Sequence, residues 1–269
     1  YLGALNAFNA YQPKFVEVPT DNGGLIPEEL DKILETTPNC KFIYVIPDFQ
    51  TPTGRTWSME RRQKFMEVVN KHNLPVLEDN PYGELRYEGT ILPSLKSMDT
   101  KGLVMFLGTF SKIFCPGLRL GWIAAEHSLL SEFVKIKQSA DLHTSNFDQG
   151  VADAYMEQYD LDEHVKEIVA LYKHRRDLIL ESMEKYFPAG TEWTHPEGGL
   201  FLWLTFPEGV SARKVFNKCI EMKVAGVIGD AFYPNQKTDR SMRINYSNMP
   251  DDRIVEGIQR MAKAIKECM

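Results

Sequence analysis

The sequence predicts an α/β fold: a mostly parallel sheet with helices on both faces, followed by a smaller C-terminal α+β domain. Short apolar runs at residues 42–46, 74–77 and 103–107 alternate with helical segments, which is typical of parallel strands that are buried on both faces. Each run ends in polar, turn-forming residues. This is expected where neighbouring parallel strands deliver their carboxyl ends to one ligand crevice.

Capping residues and periodicity place helices between these strands. Pro27 and the acids after it are typical of a helix start, Ser58 caps the next helix, and Ser145 or Asn146 caps a later one. The expected helices cover residues 2–12, 27–36, 58–72, 127–137, 147–158 and 161–186, and further strands are expected at 15–18 and 120–125.

Pro188-Ala189-Gly190 interrupts the helical pattern and marks a domain boundary. We therefore expect a large domain over residues 1–187 and a small α+β domain over 188–269. The small domain is expected to contain strands at 199–206, 224–228 and 241–246 and helices at 211–223 and 251–266.

The composition of the chain argues against several classes of function. The 269 residues carry 31 basic and 37 acidic side chains, a formal charge of −6, which argues against a nucleic-acid partner. No apolar run approaches the roughly 20 residues of a membrane helix. The four cysteines are scattered and form no CxxC pair, which indicates reduced thiols and a cytoplasmic location. The six histidines lack the spacing of a metal site, so the sequence gives no support for a bound metal.

The stretch 108–122 holds the first candidate site. Thr109, Ser111 and Lys112 follow an apolar strand, where side chains face the ligand crevice of an α/β sheet. A lysine held there in apolar surroundings is partly desolvated and more easily deprotonated, as a carbonyl-binding lysine must be. The alternative is a solvated surface lysine, and partners elsewhere in the chain must decide between the two.

Three further charged residues are candidates, and the first two have two interpretations each. Asp79 ends a buried strand, which is costly unless a donor or cation pairs with it, so either a cofactor contact or a structural salt bridge explains it. Arg119 opens the strand after Lys112 and could bind a phosphate or carboxylate with two N–H groups, or simply be a surface residue. Arg243 alternates with Met242 and Ile244, so it lies on the other face of its strand.

Taken together, these motifs resemble a known family. Ser111-Lys112 with Pro116-Gly117-Leu118-Arg119-Leu120-Gly121-Trp122, Asp79-Asn80-Pro81-Tyr82 and Pro52-Thr53-Gly54 resemble the fold type I pyridoxal-phosphate aminotransferases of class I/II. The segments 141–145, 198–203 and 243–247 resemble the branch of 2-aminoadipate, kynurenine and aromatic aminotransferases. The resemblance spans essentially the whole chain.

The resemblance implies a role for each candidate. Lys112 would bond to the aldehyde of pyridoxal 5'-phosphate and move a proton during catalysis, and Asp79 would keep the pyridine nitrogen protonated. Tyr82 would contact the ring 3'-oxygen, and Arg243 would take the α-carboxylate of the substrate. The remaining cofactor-binding positions are Thr109, Ser111 and Arg119 at the phosphate, Thr51 at the 3'-oxygen and Tyr1 stacked on the ring.

The sequence departs from the family pattern in two places. The family has Asn-Pro-Thr-Gly where this chain has Thr51-Pro52-Thr53-Gly54, so a shorter hydroxyl replaces an amide. The chain opens at Tyr1, inside an expected helix, so we expect the family's N-terminal portion to be absent and the large, cofactor-binding domain to be partial.

The implied activity is transfer of an amino group between an amino acid and a 2-oxo acid by a ping-pong cycle, in a homodimer. Two alternatives stay open: the aminotransferase-like effector domain of a winged-helix transcriptional regulator, and a lyase or decarboxylase on the same fold. Asp48-Phe49-Gln50 before Thr51 is more typical of the enzymes. The sequence leaves the donor amino acid undetermined.

Overall fold

A computed structural model describes residues 1–235 and 238–269. Its helices are α1 Leu2–Asn9, α2 Pro27–Thr36, α3 Met59–His72, α4 Leu95–Met98, α5 His127–Ala140, α6 Asn146–Gln158, α7 Leu161–Tyr186, α8 Ala212–Glu221 and α9 Asp251–Cys268. Its strands are β1 Thr20–Asp21, β2 Gly24–Leu25, β3 Ile43–Val45, β4 Val76–Asp79, β5 Val104–Thr109, β6 Gly121–Ala124, β7 Glu192–Trp193, β8 Phe201–Thr205, β9 Val227–Ile228 and β10 Ser241–Asn245. Two 3-10 turns cover Pro116–Leu118 and Gly229–Phe232.

The described chain forms two compact units whose segments interleave along the sequence. The first, here called the arginine unit, consists of Tyr1–Glu17, Phe49–Arg55 and Ala170–Met269. The second, here called the lysine unit, consists of Val18–Asp48 and Thr56–Val169. The domain boundary expected between residues 187 and 188 stays a prediction.

The lysine unit contains the α/β sheet. Its strand order is β3-β4-β5-β6, with β3, β4 and β5 parallel and β6 antiparallel to β5. This confirms the alternation of buried strands and helices expected from the apolar runs. Side chains that are completely buried, among them Val76 on β4, Val104 on β5 and Phe65 and Val69 on α3, form the core that fixes these strand ends.

Local signals explain where the helices of this unit begin and end. The Ser58 hydroxyl accepts a hydrogen bond from the Arg61 amide at 3.2 Å, so Ser58 caps α3 as expected. Asn73 ends α3 in the left-handed conformation with φ 51°, which asparagine tolerates better than most residues. The Ser145 hydroxyl accepts from the Asp148 amide, which identifies Ser145 rather than Asn146 as the cap of α6.

The arginine unit contains an antiparallel sheet with the order β7-β8-β10-β9. On β8 and β10, Leu202, Leu204, Met242 and Ile244 are buried and alternate with residues of the opposite face. Helices α8 and α9 pack against each other and bury their apolar residues, Val215 and Ile258 among them. This is the α+β layer expected for the C-terminal part of the chain.

One predicted strand, at residues 15–18, is absent from the described structure. The segment is extended but joins no ladder, and Pro13 and Pro19 on either side lack the N–H that a ladder needs. Two of its polar groups have other partners: the side-chain amide of Asn235 donates to the Phe15 carbonyl at 3.0 Å, and the Asn235 backbone N–H donates to the Glu17 carboxylate at 3.0 Å.

Within the described ranges, none of the helices combines the length and the apolar character needed to cross a membrane.

Candidate active site

Asp79 lies at the carboxyl end of β4 and has a phenol as its neighbour. The Tyr44 hydroxyl, from β3, donates to Asp79 Oδ2 at 2.5 Å. Tyr44 pairs with Leu77 in the parallel register, so Asp79, two residues further along β4, lies diagonally opposite it on the same face of the sheet. The buried acid therefore has the donor that its position requires.

Burial raises the pKa of the Asp79 carboxyl above its ordinary value, and the hydrogen bond from Tyr44 only partly offsets that effect. The raised pKa means that the negative charge of Asp79 is incompletely compensated. Such a carboxylate is suited to hold a protonated ring nitrogen, because a cation beside it stabilises the charge that burial disfavours.

Lys112 lies in the turn that follows β5. Asp79 pairs with Leu107, and the Asn80 amide donates to the Leu107 carbonyl at 2.9 Å, so β5 continues past β4 by Gly108 and Thr109. The turn at 110–113 then places Lys112, which is half-buried, just beyond the same edge of the sheet. The structure thus brings Asp79 and the lysine turn to neighbouring strand ends, as the sequence predicted.

The strand β6 holds this turn in place. Gly108 pairs with Trp122, and a Cβ at Gly108 would lie 2.1 Å from the Trp122 ring, so only glycine permits this pairing. The ring of Phe110 meets the ring of Trp122 at 5.1 Å in an edge-to-face contact. Gly108, Phe110 and Trp122 therefore fix the start of the turn that carries Lys112.

The expected phosphate-binding residues are partly used within the loop itself. The Thr109 hydroxyl donates to the Leu120 carbonyl at 3.1 Å and accepts from the Ser111 amide at 3.1 Å. Arg119 is exposed and donates to the Pro116 carbonyl at 2.9 Å. These bonds shape the loop, and the roles of Thr109, Ser111 and Arg119 at a phosphate stay predictions.

Tyr82 is 4% exposed and follows β4 by three residues, within the lysine unit. The other three predicted residues belong to the arginine unit. Tyr1 is half exposed at the start of α1, Thr51 is buried, and Arg243 lies on β10. The cofactor contacts predicted for Tyr1, Thr51 and Tyr82 stay predictions.

Thr51 and Arg243 contact each other. Nη1 of Arg243 donates to the Thr51 hydroxyl at 2.9 Å. The guanidinium carbon of Arg243 also lies 4.0 Å from the ring centre of Phe201 and 5.0 Å from that of Phe232. A fixed guanidinium is the group best suited to bind a carboxylate with two parallel hydrogen bonds.

Sequence reasoning missed a buried ion pair that supports this edge of the sheet. Asp48 lies three residues after the end of β3. Its Oδ1 accepts from Nη2 of Arg62 at 2.5 Å, with both side chains almost fully buried. Arg86 approaches the same oxygen at 3.5 Å. An acid directly after an apolar strand was visible in the sequence, but the helical position of Arg62 gave no sign that it faced inward.

Glu78 and Tyr44 were also missed. Glu78 precedes Asp79 and points to the opposite face, where its carboxylate accepts from the Leu95 and Lys96 amides at 2.8 Å each. Burial raises the pKa of Glu78, with these backbone bonds opposing the rise. Tyr44 carries the only hydroxyl in the apolar run 42–46, and that was the signal in the sequence for a partner of Asp79.

The side chains of the lysine unit fit a pyridoxal cofactor. They supply an amine for its aldehyde, a carboxylate for its ring nitrogen, a buried phenol, and hydroxyl and guanidinium groups for its phosphate. Among the described residues, no group of three or more His, Cys, Asp or Glu could hold a metal ion.

Comparison with known proteins identifies the family of the chain. Residues 1–261 match the family described as aminotransferase class I and II. The chain is 42% identical to aromatic-amino-acid aminotransferase 1 of Thermococcus litoralis over 273 residues, covering 100% of this chain and 66% of that protein. The chain therefore spans about two thirds of the length of such relatives.

Two solved structures are similar throughout the chain. A kynurenine aminotransferase of Pyrococcus horikoshii, in complex with PMP, superposes with a TM-score of 0.95 at 41% identity, covering 99% of this chain and 67% of that one. The α-aminoadipate aminotransferase LysN of Thermus thermophilus, complexed with N-(5'-phosphopyridoxyl)-L-leucine, gives a TM-score of 0.93 at 32% identity, covering 100% and 69%.

Fold and site thus define a fold type I pyridoxal-phosphate enzyme. The chain belongs to the aminotransferase class I and II family. Its relatives include aromatic, kynurenine and 2-aminoadipate aminotransferases.

Proposed function

We propose that the chain is an aminotransferase that moves an amino group between an amino acid and a 2-oxo acid through pyridoxal 5'-phosphate, by a ping-pong cycle. The observation that carries the proposal is the sheet register that puts Lys112 and the buried Asp79 at adjacent strand ends. Family membership supports it independently.

In this proposal, each side chain near the cofactor ring has a separate role. When bound, pyridoxal phosphate supplies an electron sink for the negative charge that develops at the substrate α-carbon. The Lys112 amine would hold the cofactor aldehyde, and once the substrate amino group had replaced it there, the freed amine would take the proton from that α-carbon. Asp79 keeps a proton on the ring nitrogen, with Tyr44 holding the carboxylate in place. Tyr82 donates to the ring 3'-oxygen.

The remaining residues bind the charged ends of cofactor and substrate. Arg119, with the hydroxyls of Thr109 and Ser111, binds the phosphate. Arg243 binds the α-carboxylate of the substrate, because a guanidinium offers paired N–H donors in the plane of a carboxylate. Thr51 and Tyr1 complete the cofactor contacts.

The proposal includes a homodimer and a cytoplasmic location. The four cysteines are free thiols in the structure, which supports a reducing compartment. The named relatives act on aromatic amino acids, kynurenine and 2-aminoadipate, so we propose large amino acids, aromatic ones first, as donors to assay.

The test begins with covalent chemistry at Lys112. The chain is incubated with pyridoxal phosphate, reduced with borohydride and digested, and peptide masses locate the label. We expect the label on Lys112, its loss in Lys112→Arg, and an unchanged result in Lys137→Arg, an exposed lysine of α5. A label distributed over surface lysines would contradict the assignment.

A second experiment distinguishes an aminotransferase from a lyase or decarboxylase and from the effector domain of a regulator. Phenylalanine and 2-oxoglutarate are supplied together, and the products are identified. Equal amounts of phenylpyruvate and glutamate support the aminotransferase. Release of ammonia or carbon dioxide would instead favour a lyase or decarboxylase. Cofactor binding without any turnover would favour the effector domain of a regulator.

A further inference from the structure

Arg243 lies on an aromatic face of the antiparallel sheet. In the register of β8 and β10, Arg243 pairs with Trp203 and Asn245 pairs with Phe201, so Phe201 is the diagonal neighbour of Arg243. The intervening Leu202 and Ile244 are buried on the opposite face. The guanidinium carbon lies 4.0 Å from the Phe201 ring centre, which is a close cation–π contact.

A second ring reaches the same guanidinium from outside the sheet. The 3-10 turn Gly229–Phe232 carries Phe232, whose ring centre lies 5.0 Å from the guanidinium carbon and 5.8 Å from the Trp203 ring, edge to face. The turn approaches the sheet closely at Gly229, where a Cβ would lie 2.4 Å from the Ser241 hydroxyl. Trp203 and Gly229 together therefore fix the place of Phe232.

The aromatic contacts and the hydrogen bond of Arg243 involve different parts of its guanidinium group. An aromatic ring attracts the guanidinium through its quadrupole and does not consume an N–H donor. The Thr51 hydroxyl accepts one N–H, from Nη1. Phe232 and Phe201 thus restrain the orientation of the group without competing for the hydrogen-bonding edge that a carboxylate would use.

We propose that Phe232 is a positioning residue that holds the Arg243 guanidinium ready for the carboxylate of the substrate. The proposal rests on the assignment of Arg243 as the carboxylate-binding residue. A free arginine side chain loses rotamer entropy when it is fixed. Since Phe232 fixes it beforehand, a carboxylate ligand avoids much of that cost.

The experiment compares four variants with the parent chain. Phe232→Leu and Phe232→Met remove the ring, and Phe232→Tyr keeps it. Phe187→Leu is the matched control, because the Phe187 ring makes a similar edge-to-face contact, 5.7 Å from Trp193, in the same unit. Calorimetry measures the dissociation constant of 3-phenylpropionate, a carboxylate without an amino group, and assays give KM and kcat.

We expect both ring-removing variants to weaken 3-phenylpropionate binding and to raise KM for both substrates by roughly 3- to 20-fold, the range of a partly desolvated cation–π contact. The value of kcat should stay within about twofold, because the contact is made equally before and during the reaction. Phe232→Tyr should restore parental affinity, and Phe187→Leu should not alter it. If Phe232→Leu fails to fold, Phe232→Met decides.

Arg243→Gln separates this inference from the proposed function. If Arg243→Gln abolishes binding of the carboxylate while both ring-removing variants bind it like the parent, Phe232 has no positioning role. If Arg243→Gln also binds 3-phenylpropionate like the parent, the assignment of Arg243 is wrong and the inference is overturned with it. A general loss of kcat in the ring-removing variants, with unchanged affinity, would likewise contradict it.

Discussion

Two aspartates at neighbouring strand ends of the same sheet, Asp48 after β3 and Asp79 at the end of β4, differ in their partners. Asp48 is paired with the buried cation Arg62 at 2.5 Å and approached by Arg86. Asp79 receives its hydrogen bond from Tyr44, a neutral phenol, and burial raises its pKa.

The difference supports a structural role for Asp48 and the proposed cofactor-binding role of Asp79. The charge of Asp48 is balanced by cations of the protein itself, which suits a structural role. The charge of Asp79 is stabilised less completely, so Asp79 is suited to a cation that arrives with a ligand. Both aspartates lie at or just after the end of a buried strand. They differ in their partner, which is a cation for Asp48 and a neutral phenol for Asp79.

Breaking the Asp48 pair should have the largest effect on stability. Arg62→Met leaves a buried carboxylate without its main cation, and we expect the free energy of unfolding of the lysine unit to fall by about 3–5 kcal/mol. Urea unfolding followed by circular dichroism measures it. Lys64→Met, which removes an exposed lysine of the same helix, is the control and should shift the midpoint little. Equal shifts in the two variants would contradict the structural role of Asp48.

Asp79→Asn should spare the fold and damage the chemistry. An amide cannot hold the ring nitrogen protonated, so we expect turnover to fall roughly 100-fold or more while borohydride still labels Lys112. Steady-state rates and peptide mapping measure the two effects. Asp31→Asn, an acid of α2 that contacts Lys71 and His72, is the control and should keep parental turnover. Parental turnover in Asp79→Asn would remove Asp79 from the site.

The smallest expected effect is on the pH dependence of stability, which depends on the raised pKa of Asp79. Because the raised pKa belongs to the folded chain, the folded state keeps the proton of Asp79 at pH values where the unfolded chain, with its ordinary value of 3.8, has released it. Asp79 therefore destabilises the cofactor-free parent progressively as pH rises through that window. Asp79→Asn lacks this cost, so its unfolding free energy relative to the parent should rise with pH and then level off. A constant difference across the window would mean that the pKa of Asp79 is not raised.

Much of the lysine unit could be predicted from the sequence. Its strands are short apolar runs, and its helix starts carry capping residues such as Ser58 and Ser145, so local chemistry determined both. The strand expected at residues 15–18 was wrong, because an apolar run becomes a strand only where another segment supplies a ladder, and that information is not local.

The placement of Asp79 and Lys112 at neighbouring strand ends was predictable from the sequence, and the partners of the candidate residues were less so. Asp79 and Lys112 stand at strand ends that the apolar runs reveal, so their proximity followed from parallel pairing. The contact between Tyr44 and Asp79 depends on the register of two strands, and the contact between Phe232 and Arg243 depends on how a turn folds against a sheet. Register and turn placement are set by packing across the unit, which no short stretch of sequence encodes.

The interleaving of the two units has a consequence for biosynthesis. The chain passes from one unit to the other after Glu17, Asp48, Arg55 and Val169. Because ribosomes deliver a protein from its N-terminus, every described segment of the lysine unit has emerged once Val169 has, and these segments can begin to fold on the nascent chain. The segments Tyr1–Glu17 and Phe49–Arg55 emerge before Val169, whereas their partners in Ala170–Met269 are translated after it. Translation that stops shortly after Val169 would release a folded lysine unit with two unpaired segments, which proteases and chaperones recognise.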